Sequence, residues 1–321
     1  MRRVSFSSQT KLELASERIK SECCRLAALS ALMRMSGSLQ LMGGGKRRLR
    51  IVTESYAVAR WTVRLAKSLF PLESEILIRE RKRLGKNRSF AILLFGEALE
   101  RALLETGFLK ETEEGISLGD GFPQGMLEKD CCKRAFLRGA FLGGGSISNP
   151  EKGYHLEFVA SSEQLAKDLC SLLNGYALKA KMIARKGSHV VYLKESEKIT
   201  EFLALIGANG ALLDLENVRT EKDFTNNLNR KLNCETANIR KSVEAAVRQN
   251  EAIRYLLDHG VFAKLSPELR AVAELRIDNP ELSLAELGKL MDPPLGKSGV
   301  NHRLRKLEEI ALSTKQQKGD A

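Results

Sequence analysis

Ser298, Gly299, Asn301, His302, Arg303, Arg305 and Lys306 lie close together near the C-terminus, beside an apolar stripe of Val300, Leu304 and Leu307 at helical spacing. Their chemistry is that of a surface that reads a polyanion. A serine hydroxyl with the Gly299 and Val300 amides at a helix N-terminus suits a phosphate, because unpaired N–H groups and the helix dipole both favour negative charge. Asn301 and His302, in the first turn, suit the donors and acceptors of base edges. Arg303 or Arg305 suits guanine or phosphate, and Lys306 adds another cation. The competing reading is a solvated charged face, since Glu308 and Glu309 follow directly.

A second set of cations lies in the first third of the chain. Lys46, Arg47, Arg48 and Arg50 adjoin a Gly43-Gly44-Gly45 turn, and Arg79, Arg81, Lys82 and Arg83 continue through Lys86 and Arg88 across a hairpin. On adjacent strands they form a positive sheet surface that follows phosphates. A solvated hairpin, or a surface for an acidic protein, is the alternative. Lys179, Lys181, Arg185 and Lys186 echo the pattern more weakly.

Helices must hold the C-terminal set in place. Ser266-Pro267-Glu268 marks a helix start, with Ser as cap, Pro at the first position and Glu favouring the dipole. Ser283 caps a second helix, with Leu284, Leu287 and Leu290 inward, that stops at Asp292-Pro293-Pro294. Ser298 opens the third. Three short helices in this order make a helix-turn-helix, which sets its last helix in a DNA major groove. The preceding segment, 226–253, is long and polar, with Ile239, Val243, Ala246, Val247 and Ile253 near one stripe; its residues alone read as a solvated linker helix.

The rest of the chain is organised by a repeat. CCRLAALSALMRMSGSL from Cys23 and CCKRAFLRGAFLGGGSI from Cys131 stand 108 residues apart, both opening on a cysteine pair and closing on Gly-Ser with an aliphatic residue. Small residues in each (Ala27, Ala28 and Ala31; Gly139 and Gly143) leave one helical face nearly without side-chain volume. Two helices pack closely on such faces. Around each copy the pattern predicts αββαββα. The first runs through a helix at 22–35, strands at 39–42 and 49–53, a helix at 57–69, strands at 75–81 and 88–94, and a helix at 97–105. The second has a helix at 133–142, strands at 146–148 and 154–160, a helix at 162–173, a hairpin of 179–185 and 189–193, and a helix at 196–206. Residues 4–20 predict a short helix with Leu12, Leu14 and Ile19 inward.

Whole-chain properties narrow the function classes. The 321 residues carry a net charge of +12, and residues 1–127 alone hold 22 Lys/Arg against 14 Asp/Glu. A polyanionic partner is the first expectation. The sequence has no stretch of the roughly 20 apolar residues that a membrane span needs, and the N-terminus lacks an apolar signal core, so a cytoplasmic protein is expected. The six cysteines, Cys23, Cys24, Cys131, Cys132, Cys170 and Cys234, include no CxxC, and are expected to be reduced and mostly buried rather than metal ligands. The four histidines have no metal spacing, and no hydrolase signature occurs. No cofactor is expected.

LRGAFLGGGS at 137–146 resembles the LAGLIDADG motif of homing endonucleases, whose paired helices join two αββαββα halves and whose last acid holds a catalytic metal. That acid falls on Gly144 in the second copy and Ser36 in the first, and neither supplies a carboxylate. Taken whole, the chain is similar to the WhiA family of bacterial transcription regulators. The matching blocks are SFSSQTKLELA at 5–15, AFLRGAFLGGGSISNP at 135–150, YHLEF at 154–158, NRKLNCETANIRKSVEAAVRQ at 229–249 and GVNHRLRKLEEIA at 299–311. The fourth of these blocks brings Asn229, Asn233 and Asn238 back into view.

The resemblance implies an α+β protein: a duplicated αββαββα LAGLIDADG-like saddle followed by an all-α helix-turn-helix domain. The expected divisions are a first repeat at 1–109, a linker at 110–127, a second repeat at 128–210, a linker at 211–228, the helix-turn-helix domain at 229–313 and a tail at 314–321. The expected function is non-enzymatic, sequence-specific binding of double-stranded promoter DNA, in the nucleoid, in cell division, chromosome segregation and, in sporulating lineages, sporulation. RNA polymerase or another transcription regulator is the protein partner this allows. The rival readings are a protein-docking scaffold and a metal-dependent homing-type endonuclease.

Overall fold

The computed structural model describes residues 5–43, 46–80, 88–113, 115–123 and 125–318. Each repeat is built on one apolar helix, α2 (Glu22–Ser36) in the first and α5 (Asp130–Gly144) in the second. These two helices pack along one another. Ala27, Ala28 and Ala31 are fully buried, and a Cβ on Gly139 would run into the Ala28 backbone carbonyl. The small-residue face is therefore a backbone-to-backbone contact.

The first repeat adds β1 (Gly37–Leu41), β2 (Arg47–Thr53), α3 (Tyr56–Lys67), β3 (Glu73–Glu80), β4 (Arg88–Phe95) and α4 (Leu99–Glu105). Its antiparallel sheet has the order β1-β2-β4-β3. After a hairpin of β5 (Leu109–Thr112) and β6 (Gly115–Leu118), the second repeat follows α5 with β7 (Gly145–Ile147), β8 (Leu156–Ala160), α6 (Glu163–Gly175), β9 (Lys181–Arg185), β10 (Ser188–Leu193) and α7 (Ser196–Ile206). Its sheet order, β7-β8-β10-β9, is the same one repeated. Lys186 and Gly187 both have positive φ, 49° and 78°, which matches the right-handed twist of the β9–β10 hairpin they close. One face of each sheet meets the helices; in the second repeat Phe141, Phe158 and Phe202 cluster there with ring centroids 5.6–6.3 Å apart.

Equivalent positions in the two copies do equivalent work. Ser30 donates to the Thr106 carbonyl at 2.7 Å, and Arg138, 108 residues on, donates to the Ile206 carbonyl at 2.7 Å. Each ties its central helix to the end of the closing helix of its own repeat, where carbonyls lack intrahelical partners. In α1 (Phe6–Ser16), Glu13 accepts from the Gly210 and Ala211 amides at 2.7 and 3.0 Å, which caps the start of α8 (Asn209–Asp258). Glu13→Gln is expected to lower unfolding free energy by about 1 kcal/mol in a urea titration at neutral pH.

Several expectations need correction. Within 110–127 the chain forms the β5–β6 hairpin, because the glycines and acids that suit a linker also suit a tight turn. The stretch 211–228 is helical throughout, part of the 50-residue α8. It contains no proline and no glycine after Gly210, so nothing interrupts a helix already capped by Glu13. The stripe expected on this helix faces solvent at Ile239, Val243 and Val247, while Ile253 is buried. Leu12 is exposed; Leu14 alone of its trio is fully buried.

The chain divides into two compact units, 1–222 and 223–321. In the second, α9 (Pro267–Asp278), α10 (Leu284–Leu290) and α11 (Lys297–Lys318) enclose a core with the end of α8, including Ile253, Leu256, Val272, Leu287, Val300, Leu304 and Leu307. Ser266 caps α9 through the Leu269 amide, and Ser283 with Glu286 forms a full capping box on α10.

Candidate nucleic-acid interface

Burial fixes the orientation of α11. Val300, Leu304, Leu307 and Ala311 are 3% exposed or less, so at about 100° per residue the opposite face carries Ser298, His302 and Arg305. All three are exposed, as is Lys306 beside them. Asn301 and Arg303 lie on the flanks and are partly covered. Arg303 is held by Glu268 of α9 at 3.2 Å, and Lys306 pairs with Glu309 at 3.4 Å within its own helix. Arg305 therefore stands out as the exposed guanidinium in the middle of the face.

The N-terminal turn departs from expectation. The helix begins at Lys297, so Ser298 sits inside its first turn rather than at the cap. The Gly299 and Val300 amides both donate to the Gly296 carbonyl, at 2.9 and 3.2 Å, and are not free for a phosphate. Gly296-Lys297 lets the chain turn one residue earlier than a serine-cap rule predicts. The Lys297 and Ser298 amides are the first two of the helix and precede that bonded pair.

In the first sheet, strand alternation sorts the cations. Leu49 and Ile51 are buried towards the helices, which places Arg48 and Arg50 on the other face of β2. Arg79 of β3 shares it by register, since Arg79 pairs with Ser89, two residues from Ala91, whose partner on β2 is Val52. Arg48 is steadied by Gln40, with Nε to Oε1 at 2.8 Å. Arg47 points the opposite way and pairs with Glu100 of α4 at 3.4 Å, so it is not part of this surface. Lys46 is exposed just before β2. Arg81 and Arg83 lie outside the described residues. Composition groups Arg47 with its neighbours; the period of two separates it and keeps Arg48, Arg50 and Arg79 on one face.

The same face of the second sheet carries Lys181, Ile183 and Arg185 from β9, Tyr192 from β10, and Glu157 and Val159 from β8. It is weakly basic, with Ile183 and Val159 exposed among the charges. Lys179 pairs with Glu195 at 3.0 Å.

At the C-terminal ends of α2 and α5, the Ser36 hydroxyl donates to Leu32 O at 2.9 Å. A Cβ on Gly144 would meet the Met35 Cε at 2.6 Å and the Val159 carbonyl at 3.1 Å. Met35 thus fills the space in which a side chain from position 144 would begin. Nearby, Lys11 of α1 donates to Leu142 O at 3.4 Å and lies over the Phe141 ring. Burial pushes its ammonium down to about 8, against the opposing effect of Glu54. Between pH 8 and 10.5 the unfolded chain then binds more protons here than the folded one, so this group's contribution to stability rises with pH. Lys11→Met is expected to raise stability at pH 7 by on the order of 1 kcal/mol, discounted for partial exposure, and the gain should vanish by about pH 10.5 in paired denaturation curves.

The cysteines also depart from expectation. Cys24 and Cys132 are buried, but Cys23, Cys131 and Cys234 are exposed. Cys23, Cys24, Cys131 and Cys132 meet where α2 and α5 begin, with their four sulfurs within 4.8 Å of one another. Spacing along one helix gave no sign of this; the 108-residue repeat and the small-residue face together supplied it.

Three family profiles cover this chain: the WhiA N-terminal LAGLIDADG-like domain matches residues 22–109, the WhiA LAGLIDADG-like domain 133–225, and the WhiA C-terminal HTH domain 228–311. A probable cell division protein WhiA of Alkaliphilus metalliredigens is 45% identical over 309 residues, which span 96% of this chain and 98% of that protein. The protein of that name from Clostridium botulinum strain Hall is 48% identical over 314 residues, 98% of this chain and 99% of its own. Among solved structures, full-length DUF199/WhiA from Thermatoga maritima superimposes with a TM-score of 0.60 at 26% identity, covering 97% of this chain and 99% of that one.

Proposed function

The chain belongs to the WhiA family, and from that premise we propose that it is a sequence-specific DNA-binding transcription regulator that acts in cell division and does not cut DNA. The observation that carries the reading is the exposed Ser298, His302 and Arg305 face of α11, set on a capped three-helix core. An exposed helix N-terminus with an alcohol, an imidazole and a guanidinium within two turns has the reach and the hydrogen-bonding groups for a major groove. Arg48, Arg50, Arg79 and Lys46 supply a second, sequence-independent grip on phosphate, with Lys181 and Arg185 of the second repeat in a lesser part.

Absence of cutting is supported by Ser36 and Gly144, where no carboxylate is available and Met35 takes the space. Action in chromosome segregation, and in sporulation where the lineage sporulates, follows from the family resemblance, as does a cytoplasmic, nucleoid-associated location; among the described residues no helix is long and apolar enough to cross a membrane. The proposed division keeps two LAGLIDADG-like repeats and a C-terminal helix-turn-helix domain, with the 211–228 stretch reassigned to α8. A second reading, docking of RNA polymerase or another regulator on the sheets, is favoured by exposed Leu77, Val159 and Ile183, which phosphate does not need.

The test is binding of the full chain to genomic promoter fragments and to random duplexes in the presence of Mg²⁺. Preference of at least about a hundredfold for some promoters, with all DNA uncut, is expected. Cleavage, or equal weak binding to every duplex, would overturn the proposal.

A further inference from the structure

Cys23 and Cys24 occupy the first turn of α2, and Cys131 and Cys132 the first turn of α5. An adjacent pair on one helix is a poor chelate. The close α2–α5 packing sets a second pair opposite the first, and the four sulfurs lie within 4.8 Å of one another. A tetrahedral ion with Zn–S bonds of about 2.3 Å holds its sulfurs about 3.8 Å apart, so a small inward movement closes the set. A cluster of several irons with bridging sulfides spaces its cysteines more widely. The donor set is all thiol, with no carboxylate or imidazole in the group, which selects a soft-ligand cation over Mg²⁺, Ca²⁺ or Mn²⁺.

We propose that Cys23, Cys24, Cys131 and Cys132 form a tetrathiolate site that holds one Zn²⁺ across the N-terminal ends of α2 and α5. Binding replaces four S–H protons, which pass to solvent buffer, and leaves a complex of net charge −2 with no electron transferred. Two helix N-termini favour that charge. Glu22 and Asp130 in the same first turns oppose it, but Asp130 is drawn towards the Tyr176 hydroxyl at 2.6 Å and Arg134 at 2.8 Å. A cleft lined by Leu104, Pro123, Met126 and Lys129 opens onto Cys23 and Cys132 and gives an ion a way in. The site joins the two repeats to each other, so the metal contributes to the stability of the first unit rather than to DNA chemistry.

The experiment is metal analysis of the full chain, purified under reducing conditions with Zn²⁺ and then desalted, together with Co²⁺ substitution. About one Zn²⁺ per chain is expected, with a visible Co²⁺ spectrum of tetrahedral thiolate type. Cys23→Ser and Cys131→Ser, at exposed positions, should each weaken binding about tenfold or more and lose that spectrum while helical circular dichroism is kept. Chelation should lower the unfolding midpoint of the unmodified chain but not of Cys131→Ser. Less than a tenth of an equivalent of Zn²⁺ at micromolar free metal, or unchanged uptake by both serine variants, would overturn the site.

Discussion

Gly139→Ala is expected to cost about 3 kcal/mol or more and to break the cooperative unfolding of the first unit. The added methyl has no flexible side chain to displace. It meets the carbonyl oxygen of Ala28, with the Ala28 carbonyl carbon and Cα at 2.8 and 2.9 Å. Two helix backbones would have to separate, and Ala27, Ala31, Leu32, Leu137 and Ala140, all fully buried around this line, would lose contacts with them. Gly175→Ala is the control. It sits at the end of α6 with nothing within 4 Å of the added methyl, and its change should be near zero or slightly stabilising. Thermal or urea unfolding of the two variants side by side checks the pair; equal effects would mean the α2–α5 contact is not close-packed.

The second large effect is expected from Arg305→Ala, which should lower affinity for a preferred promoter by about 10- to 100-fold and reduce the salt slope by about one. Arg303→Ala should do much less, because that guanidinium is already engaged by Glu268 and only 24% of its side chain is exposed. Arg50→Ala and Arg79→Ala, on the sheet, should weaken promoter and random DNA alike, because phosphate contacts carry no sequence information. Filter binding across a range of salt separates these outcomes. A larger loss from Arg303→Ala than from Arg305→Ala would contradict the orientation of α11.

The αββαββα order was readable from the sequence because turn residues separate the strands and the middle helix of each repeat starts on a serine cap, Ser55 on α3 and Ser162 on α6. The buried stripe of α11 was readable for the same reason, from the spacing of Val300, Leu304 and Leu307. What escaped was set by pairing between distant segments. Glu13 starts α8 from 197 residues away in sequence, so local composition at 211–228 read as linker. Arg303 is neutralised by a glutamate on another helix, and Arg47 by one on α4; neither partner is a neighbour in sequence. The start of α11 moved because Gly296 supplies the carbonyl that accepts from Gly299 and Val300, a role a serine rule does not anticipate. The four sulfurs needed both copies of the repeat to be folded against each other before they became a group.

Base reading is assigned by the proposal to the N-terminal face of α11. Selection of preferred sites from a randomised duplex pool, with the full chain and with His302→Ala and Ser298→Ala variants, tests it most directly. Both variants should fold, retain sheet-based binding to any DNA, and relax or change preference at one or two base positions, each by about 1–3 kcal/mol. Variants that select the same sequence with the same stringency as the unmodified chain would contradict it.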